Sequence, residues 1–154
     1  MSKEQMAADT AQQAGTPAID WPALDRQARR VAVAKAVMFP VDVAFYPDGD
    51  KSKTVMGTWQ GQVYGSLAVC QVGSAPPRCA AAPDYGWYQL IHVPTGLWLR
   101  AHKRAHPLRV LALALNATAV DWSFVNPHGL ADVPSEQREA VHGIIREWGG
   151  MHAR

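Results

Sequence analysis

Val93-Pro94-Thr95-Gly96 constrains the fold of this chain more than any other four residues. Proline presets φ at the second position of a type I turn, and glycine takes the left-handed residue that closes a three-residue hairpin. The runs on either side, Trp87 to Val93 and Leu97 to Ala101, are rich in aromatic and branched side chains and read as strands. A turn this tight joins antiparallel neighbours.

Asp20-Trp21-Pro22 predicts a helix start, because Asp20 can accept from the orphan N–H groups of the first turn and proline is tolerated there. Leu24, Ala28, Val31 and Ala32 then fall on one face and Arg26, Arg29 and Arg30 on the other, with an end expected near Val37, before Phe39-Pro40. Val41 to Tyr46 reads as a strand, followed by a turn at Pro47-Asp48-Gly49. Thr54 to Trp59 and Gln62 to Val72 are further strands, with bends expected at Gly57, Gly61 and Gly65. Gly73 to Gly86, with Pro76-Pro77 and Pro83, is a loop of the length often found in functional or mobile segments.

Pro107 to Asn116 alternates Leu as a strand does, yet Leu108, Leu111 and Leu115 fit a helix, and the interleaved alanines favour the helix. Asp121 to Val125 reads as a short strand. Ser135 is an expected N-cap, with Glu136 and Glu139 at the positive end of the helix dipole. Val141, Ile144, Ile145 and Trp148 form an apolar stripe that Gly149-Gly150 is expected to end. The order predicts an α+β fold, with a mostly antiparallel sheet of about five to six strands and three helices.

A length of 154 residues suits one domain, expected over residues 18–154 after a flexible arm at 1–17. No stretch reaches the roughly 18 to 20 apolar residues of a membrane span. The longest candidate, Val31 to Tyr46, contains Lys35, Pro40 and Asp42, so no membrane partner is expected. The opening Met-Ser-Lys-Glu-Gln leads into no apolar core of a signal peptide. The expected compartment is the cytoplasm, where Cys70 and Cys79 stay reduced.

Candidate chemistry is sparse. Cys70 and Cys79 have eight residues between them, against the two to four usual in zinc modules, although His102 and His106 could share a helical face. No metal or other cofactor is expected. Asp48-Gly49-Asp50 lacks the later ligands of a calcium loop. Gly57, Gly61 and Gly65 precede no Gly-Lys-Ser/Thr, so they form no phosphate loop. Gly65-Ser66 lacks the rest of a nucleophile elbow. Pairings such as Cys70 with His92, or Ser123 with Asp121, are of a kind that any globular chain offers, so no catalytic residue is assigned.

Charge distribution says more than the net charge of +2. Between Tyr85 and Val120 there is no Asp or Glu, while Arg100, Lys103, Arg104 and Arg109 lie there with His92, His102 and His106. The expected binding surface is Trp98, Arg100, Lys103, Arg104 and Arg109. Trp98 alternates with Leu97 and Leu99 and would share a face with Arg100, as an exposed aromatic beside cations; Trp87 is expected in the core. Arg26, Arg29 and Arg30 form a second candidate surface. Either would suit an acidic protein surface, a nucleoprotein complex, or the phosphates and bases of nucleic acid.

The stretch from His92-Val93-Pro94-Thr95-Gly96 through the Leu/Ala run to Asn116 and Asp121-Trp122 resembles a segment of small accessory and inhibitor proteins of plasmids and phages. The resemblance carries no catalytic residues. It implies a mobile-element protein that works by binding and blocking a host protein or complex, as anti-CRISPR proteins do. Many blockers that mimic DNA are strongly acidic; this chain is not. A DNA- or RNA-binding regulator using the same face is the alternative expectation, and a small enzyme with an unrecognised site is the third.

Overall fold

The computed structural model describes residues 18–34, 38–83, 85–125 and 129–152. Among them the elements run α1 (Trp21–Ala34), β1 (Phe39–Phe45), β2 (Val55–Tyr64), β3 (Leu67–Gln71), β4 (Tyr88–His92), β5 (Leu97–His102), α2 (Ala105–Asn116), a short 3-10 helix (Gly129–Asp132) and α3 (Ser135–Met151). The class is α+β. The five strands form one antiparallel meander in the order β1-β2-β3-β4-β5. The arm expected at 1–17 and the end of the first helix near Val37 lie outside the described residues.

Each side of the sheet has its own core. On one face Tyr64, Leu67, Val69 and Leu90 pack under Leu108, Leu111 and Leu115 of α2 and Val141, Ile144 and Trp148 of α3. On the other face Val41, Val43, Phe45, Trp59, Ala68, Cys70 and Ile91 pack together, with Trp98 against them. Burial on both faces explains why β3 is almost wholly apolar rather than alternating. The second core exists because the sheet curls back on itself. Ala44 of β1 donates its N–H to the Gly96 carbonyl of the β4–β5 turn at 2.9 Å.

Several expectations change. Gly61 is no bend: β2 runs straight through it and turns at Gly65, whose φ is +63°. Glycine is needed at 61 for a different reason. A Cβ there would lie 2.5 Å from Cys70 Sγ and 2.9 Å from the Val69 carbonyl, so β2 and β3 could not approach. Asp121 to Val125 forms no strand; Asp121 instead accepts from the Ser123 backbone N–H and hydroxyl, a local turn that competes with sheet pairing. Ser135 is the first helical residue rather than the cap, a position taken by Pro134. Gly149-Gly150 does not stop α3. Both stay helical at negative φ, and the helix runs on to Met151 with Trp148 anchored in the core. The long loop is tied down through Asp48 N–H to Arg78 O at 2.8 Å and Trp59 Nε1 to Ser74 O at 3.1 Å.

His92 latches the hairpin to the segment after α2. Its Nε2 lies 2.6 Å from the Trp122 carbonyl, which can only accept, so Nε2 carries the proton and Nδ1 accepts from the Thr95 hydroxyl at 2.7 Å. The ring also stacks on Phe124 at 4.1 Å. Burial holds this imidazole, and those of His102 and His152, below the ordinary value for histidine. The unfolded chain therefore takes up these protons first. The stability tied to the neutral rings is complete above about pH 6.5 and is lost as pH falls through the folded values. The melting midpoint is expected to drop between about pH 7.5 and about pH 5. His92→Gln, which cannot titrate, should show a shallower drop than wild type; equal slopes would show that His92 does not contribute.

Candidate binding site

The basic segment between β5 and α2 is displayed unevenly. Arg100, Lys103 and Arg104 are exposed. Arg109 is half-buried, and its Nε donates to Gln62 Oε1 at 2.9 Å, an acceptor shared with the Tyr64 hydroxyl. It braces α2 on the sheet and does not belong to the exposed patch.

Trp98 is also not where alternation placed it. A bulge in β5 sets Trp98 opposite Ile91 but Arg100 opposite Leu90. Ile91 and Leu90 point to opposite faces, so Trp98 and Arg100 do too. Trp98 is half-buried, edge-on to Phe45 at 5.3 Å and tilted against Trp59 at 5.2 Å. Trp87, expected in the core, is instead 44% accessible and shares a cleft with Lys103.

Helix α1 and the basic segment meet at one carboxylate. Asp25 of α1 accepts from Arg29 Nε at 3.1 Å and lies 2.6 Å from His106 Nε2 of α2. Hydrogen bonds from His106 and then Arg29 hold Asp25 below the usual carboxylate range. The acid-free run in the sequence is thus answered in space by an acid from α1. Arg26 and Arg30 stay exposed on that helix.

Between the end of β5 and the end of α3 lies a cleft of about 560 Å³, walled by Trp87, Ala101, His102, Lys103, Trp148 and His152. His102 Nε2 lies 3.1 Å from the His152 carbonyl, and Nδ1 accepts the Arg104 N–H at 3.0 Å. Both ring nitrogens are occupied, so His102 is neutral and is available neither as a base nor as a metal ligand. The ring of His152 packs on Trp148 at 5.7 Å and has no hydrogen-bond partner among the described residues. His152 carried no local signal in the sequence, because it reaches the cleft only when α3 continues past its two glycines.

No family model, curated protein or solved structure matches this chain.

The cysteines and the remaining histidines lie apart from this cleft or from one another. Cys70 is buried in the second core, and burial pushes its thiol up to about 12. Cys79 lies in the long loop, bridged to Pro47. His102 and His106 sit on β5 and α2 rather than on one helical face. Among the described residues no three His, Cys, Asp or Glu side chains are placed to hold a metal ion. Among the same residues no helix is long and apolar enough to cross a membrane.

Proposed function

We propose that this chain acts by binding, without chemistry of its own, and that its working face is the edge formed by Trp87, Arg100, Lys103 and Arg104. One observation carries this reading. None of the three cations has a carboxylate within ion-pair distance among the described residues, and an accessible indole, that of Trp87, shares a cleft with Lys103. Unpaired cations and an aromatic suit an acidic partner surface: aromatic residues anchor contacts and the charges steer encounter. Together with the resemblance to accessory and inhibitor proteins of plasmids and phages, this favours a blocking protein that docks on an acidic host protein or nucleoprotein complex.

Capture of partners from a bacterial lysate, with and without nuclease, tests the reading. A partner that survives nuclease supports it. The double variant Lys103→Glu/Arg104→Glu should change stability by less than about 0.5 kcal/mol, because both side chains are exposed. It should slow association several-fold, an effect that fades with added salt. Wild-type association by this variant would place the working face elsewhere, with Arg26, Arg29 and Arg30 next.

Nucleic acid is a second reading, favoured by the accessible Trp87 indole, since any base can stack on it. It would appear as loss of the partner on nuclease treatment and a steep linear fall of log affinity with log salt.

A further inference from the structure

The cleft at the end of α3 is more than a gap beside the basic edge. Its volume, about 560 Å³, lies in the range of small-molecule sites, roughly 300 to 1,000 Å³. None of its lining residues is acidic. Lys103 supplies a full positive charge. His152 supplies the only imidazole of the cleft whose nitrogens are not already used, since both of those on His102 are. Trp87 supplies an accessible indole, and Trp148 closes the wall.

A cation, a free imidazole and a flat apolar surface together select an anion joined to an aromatic ring. We propose that this cleft binds a nucleoside phosphate, its base on Trp87 and its phosphate between Lys103 and His152. The inference goes beyond the macromolecular partner and stands or falls separately from it. The ligand is either a free nucleotide or the phosphorylated end of a strand, which share this chemistry.

Protonation of His152 should be linked to binding. The charged and titratable groups around this ring are Lys103 of the same cleft, His102 of β5, His106 of α2, Arg104 of the turn between them and Asp25 of α1. Burial first, then His102, His106 and Arg104, disfavour its charged form, and Asp25 opposes them. A bound phosphate adds negative charge and favours the imidazolium. Affinity should therefore rise as pH falls from about 8 towards about 6, the range in which histidine titrates.

Calorimetric titration of the full chain with AMP, adenosine, inorganic phosphate and a short 5′-phosphorylated oligoadenylate tests the proposal. AMP should bind saturably and more tightly than adenosine or phosphate. Trp87→Ala and Lys103→Ala should each weaken it roughly tenfold, while Arg30→Ala, on the far helix face, should not. His152→Ala should flatten the pH dependence. The oligoadenylate binding more tightly than AMP assigns the site to strand ends; equal or weaker binding assigns it to free nucleotide. Absence of saturable binding by both AMP and oligoadenylate overturns the proposal. So does wild-type affinity in both Trp87→Ala and Lys103→Ala. Either failure leaves the lysate-capture result, and with it the docking edge, unaffected.

Discussion

Trp148→Ala is expected to lower the free energy of unfolding by about 3 to 5 kcal/mol, the usual cost of emptying a large buried aromatic site. The indole is 4% exposed and belongs to the core between the sheet and the helices. Its Nε1 also donates to the Pro107 carbonyl at 2.8 Å, so one side chain ties the last turns of α3 to the first turn of α2. Its ring edge meets His102 at 6.0 Å, which places it under the cleft as well. Small domains are stable by only about 5 to 15 kcal/mol, so a loss of this size removes a large share. Trp148→Phe separates the two contributions: most of the ring remains and the hydrogen bond goes, at a cost of about 0.5 to 1.5 kcal/mol beyond any repacking. Urea denaturation monitored by circular dichroism measures both variants. An alanine variant with the wild-type midpoint would show that α3 is not part of the cooperative core.

Where several local signals agreed, the sequence was readable. The stripe Val141, Ile144, Ile145, Trp148 predicted a packed C-terminal helix, and three of the four are buried. Asp20 predicted the start of α1, and its carboxylate accepts the Ala23 N–H at 3.1 Å. The interleaved alanines of the Leu111-Leu113-Leu115 run favoured helix over strand without deciding between them, and the segment is helical in α2. The misreadings came from tertiary contacts that no window contains. Gly61 looked like a bend because glycine usually weakens strands, but it serves the approach of Cys70 from β3. Gly149 and Gly150 looked like a stop, but packing of Trp148 outweighs a helix penalty of about 1 kcal/mol per glycine.

The binding face was half legible for the same kind of reason. Exposed cations at Lys103 and Arg104 follow from a polar turn between two apolar elements, which sequence displays well, and Arg100 is the exposed residue of β5 itself. The aromatic that shares a cleft with Lys103 does not follow in this way. Strict alternation put Trp98 on the face of Arg100, and a single bulged residue in β5 moved them apart. Bulges leave little trace in composition. Asp25 could not have been foreseen at all, since its partner His106 lies 81 residues away.

Gly96→Val is expected to be the second most damaging single change, because two independent constraints meet there. Gly96 has φ of +72°, and the left-handed region costs an L-residue about 1 to 2 kcal/mol, more for a branched one. A Cβ at this position would also lie 2.9 Å from the Ala44 N, 3.1 Å from the Asp42 carbonyl and 2.7 Å from Met56 Cε. The methionine can swing away; the β1 backbone cannot, and overpacking of this kind adds about 1 to 3 kcal/mol. Asn tolerates positive φ but carries the same Cβ, so Gly96→Asn isolates the steric part. Val and Asn falling by similar amounts would make the approach of β1 the dominant constraint. Asn at wild-type stability would leave only the turn conformation. The damage should also be local in a predictable way. The Gly96 carbonyl accepts the Ala44 N–H that holds the curled sheet closed, and Phe45, Trp59 and Trp98 lie inside that curl. The Val variant should therefore lose near-ultraviolet dichroism from its tryptophans and bind more hydrophobic dye while the helical signal is retained. Loss of helix in parallel with the aromatic signal would instead show that the two cores on either side of the sheet unfold as one.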